Sequence, residues 1–171
     1  MLTTTHNEGA IRILRFNRPE ALNAFSEAMF DAVAEDLLAA EGDDSVKVLI
    51  ITGEGRAFSA GMDLSDRPGK GSLPVHGFAG MFEAFVEFPK PILLAINGLG
   101  VGFGCTITGL ADLVFMAESA KLRCPFTALG LTAEAASTVT FPVIMGPQNA
   151  NWVLLSSCLL YTSPSPRDLY R

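Results

Sequence analysis

"VKVLIITGEGRAFSAGMDL" (46–64) is the stretch from which the fold is read. Its first half is a continuous aliphatic and β-branched run, the composition of a short strand covered on both faces. It then breaks into glycine, alanine and serine. The same pattern returns downstream, where "PILLAING" (91–98) is a second buried strand and "GLGVGFG" (98–104) a second glycine-rich exit. Helical spacing appears around these strands. From Ser26, an N-cap by residue type, Phe30, Val33, Ala34, Leu37 and Leu38 recur on one face up to Gly42. "FAGMFEAFVEF" (78–88) predicts a second amphipathic helix, stopped before Pro89. "AIRILRFN" (10–17) alternates as a half-buried strand, and "RPEALNAF" follows as a loop whose turn is set by Pro19. "CTITGLA" starts a helix, "DLVFMAES" reads as a strand, "AKLRCPF" as a strand or turn, and "NANWVLLSS" as helix. Strands alternating with helices predict an α/β fold with right-handed crossovers.

A chain of 171 residues predicts one domain. At 49% hydrophobic it carries enough for a core, yet no apolar run approaches the ~18 residues that span a bilayer. A net charge of -6, with no basic cluster, argues against a nucleic-acid surface. Cys105, Cys124 and Cys158 are scattered and odd in number, which fits a reducing compartment and gives neither a disulfide framework nor a metal-ligand spacing. His6 and His76 stand far apart in loop-like contexts, so no metal site is expected. "MLTTTHNEGA" lacks the charged-then-apolar pattern of a signal peptide. A cytoplasmic location is expected, with a peroxisome or mitochondrion left open. "DRPGKGSLPVHG" (66–77) reads as a flexible surface loop. The last residues lose all periodicity and carry two Ser-Pro pairs, the mark of a disordered tail. "CLLYTSPSPRD" (158–168) also resembles the translation of a sequencing-adapter read-through. That resemblance implies an incomplete domain over 1–157, an artefactual or disordered tail over 158–171, and a natural protein that diverges near Ser157.

The glycine loops exclude two chemistries. "GLGVGFG" fails the G-x-G-x-x-G spacing of dinucleotide binding, and no phosphate-binding G-x-x-x-x-G-K-[ST] occurs. "AFSAG" lacks the first glycine of a nucleophile elbow, and no histidine near Ser59 supports a serine nucleophile. What two glycine-rich strand exits offer is exposed backbone N–H groups. If the strands are neighbours, "SAGMDL" and "GFG" meet at one sheet edge, where two converging amides make an oxyanion hole worth about 3 kcal/mol per donor. The alternative is that the glycines only permit tight turns. Glu134 is the one charge between Arg123 and Arg167. It reads either as a helix-start carboxylate facing solvent or as a general acid/base in apolar surroundings.

The order "NRPEALNAFS", "VLIITGEGRAFSAGMDL", "KPILLAINGLGVGFG", "ADLVFMAESAKLRCPFTALGL" and "FPVIMG" resembles the enoyl-CoA hydratase/isomerase (crotonase) superfamily over about Ile11 to Leu155. The resemblance implies a crotonase-like (ClpP/crotonase) spiral of β-β-α repeats, here C-terminally truncated, that binds acyl-CoA. It implies that the amides of Met62 and Phe103 hold a thioester enolate. It implies that Arg18, Ala21, Ala60, Gly61, Asp63, Leu64 and Gly102 contact the substrate, with Arg18 or Arg56 reaching the phosphates of coenzyme A. Coenzyme A would enter only as part of the substrate, with no separate cofactor, and full-length relatives would form homotrimers or hexamers.

Departures from the family pattern select a branch. Hydratases of the family use two glutamates; this chain has Thr106 where the first stands and Phe126 where the second stands. The Δ3,Δ2-enoyl-CoA isomerases use one glutamate further along, and "LTAEAASTVTFPVIMG" places Glu134 there. Ala133 replaces the usual proline and Ala135 the usual glycine, which changes the stiffness of the segment. The resemblance therefore implies isomerisation of a 3-enoyl-CoA to a 2-enoyl-CoA by Glu134. Thioester hydrolysis, decarboxylation, hydration and mere acyl-CoA binding stand as the alternatives.

Overall fold

The computed structural model describes residues 1–66 and 73–161, and it opens with a strand that the apolar pattern does not announce. β1 (Thr3–Glu8) runs antiparallel to β2 (Ile11–Phe16) across the turn Gly9–Ala10. Only Thr3 of β1 is buried, so no period-two signal exists there. His6 consequently lies in a strand, not in a loop. After the 3₁₀ turn at Pro19–Ala21 comes α1 (Glu27–Glu41), capped as its sequence predicts, with the Ser26 hydroxyl accepting from the Met29 amide at 3.3 Å. Met29, Phe30, Val33, Ala34 and Leu37 form its buried stripe, whereas Leu38 flanks it at 45% exposure. Lys90 closes the other end of α1, donating from Nζ to the carbonyls of Ala40, Glu41 and Asp43. A cation suits the negative end of the helix dipole.

Three β-β-α turns follow. The first is β3 (Val48–Gly53), β4 (Ala57–Ser59) and α2 (Gly77–Val86). The second is β5 (Ile92–Ile96), β6 (Leu99–Val101) and the short α3 (Phe103–Thr106), prolonged as 3₁₀ to Leu110. The third is β7 (Leu113–Met116), β8 (Lys121–Arg123) and, after a 3₁₀ turn at Thr127–Leu129, α4 (Ser137–Met145). Helix α5 (Pro147–Leu155) and strand β9 (Leu159–Tyr161) complete the described chain. The first strand of each turn joins a sheet of order β1-β2-β3-β5-β7, parallel from β2 onward. The second strand of each turn joins another sheet, β4-β6-β8-β9, so the chain winds as the expected spiral. No residue of β3 or β5 is exposed, in keeping with strands covered on both faces.

Two sequence readings change. β4 and β6, three residues each, lie inside segments that read as glycine-rich turns, because so short a strand shows no period. Leu159–Tyr161 is not a disordered tail but pairs antiparallel with Lys121–Arg123. A backbone ladder needs no side-chain pattern to form. Residues 67–72 of the expected surface loop and residues 162–171, with both Ser-Pro pairs, lie outside the described residues. Among the described residues no helix is long and apolar enough to cross a membrane.

An aromatic chain runs through the core toward one end of the sheets. Phe16 packs on Phe25, Phe25 on Phe103, and Phe103 on Phe78, with ring centroids 5.0, 5.1 and 5.7 Å apart, all edge-on. Edge-on pairs at this spacing add to simple burial, about 1 kcal/mol each. They also fix the loop that carries Phe103.

Candidate active site

β3 and β5 are parallel neighbours, and so are β4 and β6, so both glycine-rich exits open at the same end of the sheets. They touch there. Gly61 has φ +83°, and a Cβ on it would lie 2.5 Å from the Val101 carbonyl oxygen and 3.4 Å from the Phe103 nitrogen. Glycine alone allows that approach. A single parallel bridge joins Phe25 to Met62: the Phe25 amide donates to the Gly61 carbonyl and the Asp63 amide to the Phe25 carbonyl, each at 2.8 Å. The Met62 amide, between those two bonds, points away from the bridge. Phe103 is the first residue of α3, where no helical carbonyl is available to its amide. Among the described residues neither amide has a hydrogen-bond partner.

Glu134 reaches the same place from the third turn of the spiral. The two residues after it, Ala135 and Ala136, have φ of +52° and +53°, a left-handed kink that turns its side chain inward ahead of α4. The Ser137 hydroxyl and amide both donate to the Glu134 carbonyl, at 2.6 and 3.0 Å, and tie its backbone to the helix start. The carboxylate does not face solvent as a helix-start residue would. Its Oε1 accepts from the Thr106 hydroxyl at 2.5 Å, while Oε2 is buried with no partner. Burial raises the Glu134 carboxyl above its ordinary 4.5, and the Thr106 bond offsets part of that rise.

The cleft has a volume of about 490 Å³. It brings together Ala60, Met62 and Leu64 from the first loop, Gly102 and Phe103 from the second, and Glu134. Its walls are aromatic and aliphatic, among them Phe30, Phe78, Phe126 and Leu131, and its other charged residue is Arg123. Met62 and Leu64 are 57% and 74% exposed and form its rim. Among the described residues Glu134 is the one carboxylate in the lining.

The remaining expected contacts, Arg18, Ala21, Gly61 and Asp63, are not among the residues that line this cleft. Gly61 is buried beneath it and Ala21 sits half-buried in the 3₁₀ turn. Arg18 meets Asp63 rather than open space: its Nη1 donates to Asp63 Oδ2 at 2.6 Å and to the Ala24 carbonyl at 3.1 Å. The Ser65 hydroxyl and Arg18 together hold the Asp63 carboxyl down at about 2. This pair braces the 60–66 loop against the 18–24 loop. Two bracing residues were missed in the sequence. Asn23, fully buried, donates to the carbonyls of Glu54 and Ala57 at 2.9 and 2.8 Å. Ser59 donates to the Asn23 carbonyl at 2.9 Å and accepts from the Gly61 amide at 3.1 Å, so its hydroxyl is structural and not a nucleophile. An asparagine between apolar residues after a turn was the available sign, since asparagine tolerates the left-handed conformation it adopts here, φ +56°.

Comparisons with known proteins agree with this architecture. Residues 6–163 match the family described as enoyl-CoA hydratase/isomerase. The chain is 35% identical over 154 residues to the 1,2-epoxyphenylacetyl-CoA isomerase of Escherichia coli (strain K12), covering 85% of this chain and 59% of that protein. It is 35% identical over 165 residues to enoyl-CoA delta isomerase 2 of Homo sapiens, covering 90% of this chain and 41% of that protein. The chain thus spans about half the length of these curated relatives. The crystal structure of an enoyl-CoA hydratase from Mycobacterium marinum superposes with a TM-score of 0.89 at 46% identity, over 95% of this chain and 78% of that one.

Proposed function

This chain belongs to the enoyl-CoA hydratase/isomerase family, and we propose that its cleft moves the double bond of an unsaturated acyl-CoA from C3 to C2. The observation that carries this reading is a single carboxylate with one unpartnered buried oxygen, sharing a cleft with two unpaired backbone amides. Glu134, ionised, takes a proton from C2 of the 3-enoyl thioester. The electron pair of that C–H bond passes into the carbonyl and gives a dienolate, whose oxygen the Met62 and Phe103 amides hold. The Glu134 acid returns the proton at C4, and the double bond settles between C2 and C3. No proton is gained or lost overall. A carboxyl raised by burial is suited to both halves, because it is basic enough to take the proton and acidic enough to give it back.

Coenzyme A enters on this reading only as part of the substrate, and the apolar walls receive the acyl chain. Two relatives with isomerase names support it. Hydration is disfavoured, because Thr106 and Phe126 leave the cleft without the second carboxylate that would activate water. The test is turnover of a 3-enoyl-CoA by this chain and by Glu134→Gln. Loss of roughly 10²–10⁴-fold is expected of the variant, the range for one acid/base group. Retained turnover would refute the role of Glu134. Release of free coenzyme A from a thioester panel, without isomerisation, would put a thioesterase in its place.

A further inference from the structure

We propose that Thr106 is the positioning residue for the Glu134 carboxylate, holding one of its two oxygens and so setting its orientation. Thr106 is fully buried on α3, three residues after Phe103. Residues three apart share a helix face, so one helical turn carries both the Phe103 amide and the hydroxyl that holds the base. The hydroxyl has three oxygens near it: Glu134 Oε1 at 2.5 Å, the Gly102 carbonyl at 3.3 Å and the Phe103 carbonyl at 3.5 Å. It has one proton to donate. The carboxylate takes it, because that contact is the shortest and an ionised acceptor makes the stronger bond. Oε1 is thereby occupied, and Oε2 is buried without a partner. The position that holds a catalytic carboxylate in the hydratase pattern here orients a carboxylate supplied by the next turn of the spiral.

Burial raises the Glu134 carboxyl, and the Thr106 hydrogen bond is the contact that works against that rise. Cys105, beside Thr106 on α3, is held protonated by the buried Cys124 thiol and by its own burial. Arg123, at the end of β8, is the other charged residue lining the same cleft. The Cys105 thiol does not change charge where a carboxyl titrates. The geometric inference stands on this structure alone, while its catalytic meaning rests on the isomerase reading.

The test compares the whole chain with Thr106→Val, Thr106→Ser and Glu134→Gln. Carboxyl carbon NMR, with the Glu134 signal identified by its absence in Glu134→Gln, gives the titration midpoint without substrate. Thr106→Val removes a bond that lowers this midpoint and is expected to raise it, whereas Thr106→Ser keeps it at the parent value. With a 3-enoyl-CoA, Thr106→Val is expected to lose roughly 10–100-fold in kcat, the scale of a misplaced catalytic group. Its KM stays within about twofold, the acidic limb of its pH profile moves the same way as the midpoint, and Thr106→Ser recovers kcat. Thr106→Ala, which cannot crowd the helix, must repeat the midpoint shift if Thr106→Val fails to fold. An unmoved midpoint in the hydroxyl-free variants, or a serine variant as impaired as the valine one, overturns the inference. A moved midpoint in a set of proteins that never isomerise the thioester upholds the contact and sinks the isomerase reading instead.

Discussion

Replacing Gly61 by alanine puts the geometry of the site under its most direct strain. Two costs add. The residue has φ +83°, and an L side chain in the left-handed region costs roughly 1–2 kcal/mol. Its Cβ would also lie 2.5 Å from the Val101 carbonyl oxygen, well inside contact distance. Either the 60–66 loop or β6 must move, and forced overpacking of this kind costs about 1–3 kcal/mol. Gly9→Ala supplies the control. Gly9 has φ +60° with nothing within 4 Å of the position its Cβ would take, so it carries the first cost alone. Urea unfolding followed by circular dichroism should place Gly61→Ala about 2 kcal/mol below Gly9→Ala, the middle of the overpacking range. A protein of ordinary stability survives a loss of about 3 kcal/mol and can still be assayed folded.

The displacement has a functional reading as well. The contact runs between the two loops that carry the Met62 and Phe103 amides, so relieving the clash draws those amides apart. Removing one donor from an oxyanion site lowers kcat by about 10²–10³-fold, and folded Gly61→Ala should approach that loss with a 3-enoyl-CoA while Gly9→Ala turns over like the parent. Equal destabilisation of the two variants would mean that the loops do not touch. A destabilised Gly61→Ala with full turnover would mean that some other pair of donors holds the oxygen.

Two further outcomes follow from charge. Because burial raises the Glu134 carboxyl above 4.5, the native fold prefers it protonated; its contribution is fully present below the ordinary value and lost as pH rises through the raised one. Glu134→Gln should therefore be more stable than the parent at pH 7, with the advantage vanishing in acid; denaturant melts across pH check this, and a variant no more stable at neutral pH rejects it. Asp63 shows the opposite sign: held at about 2 against an ordinary 3.8, it stabilises the fold above the ordinary value and ceases to as pH falls through the lower one. Arg18→Met should cost about 1 kcal/mol near neutrality and progressively less in acid, read from thermal melts, and a cost unchanged with pH would show that the Asp63 pair is not its source.

The parts of the fold that were legible share one property, which is that neighbouring residues along the chain carry the signal. β3 and β5 announce themselves as aliphatic runs, and α1 as a cap followed by apolar residues at helical spacing. β4, β6 and β9 were not legible, because each forms when an edge is presented by a strand elsewhere in the chain, and β1 was not because only Thr3 of it is buried. The site divides in the same way. The glycine exits and the isolated charge of Glu134 stood out locally. Arg18 and Asp63, each expected to touch substrate, also find each other across 45 positions of sequence, a pairing no local pattern announces.

By itself, then, the sequence determined the long helix and the buried strands, the two glycine-rich turns after them, and the single carboxylate further along. Those follow from side-chain period, from the conformational range of glycine and from the rarity of charge in an apolar segment. The tertiary structure decided what these pieces do to one another: that Gly61 and Val101 touch, that Glu134 is buried with one oxygen on Thr106 and the other free, and that Arg18 is a brace. Each of these is a meeting of groups far apart in the chain, and which groups meet depends on how the spiral stacks its turns. Local pattern carries no record of that stacking.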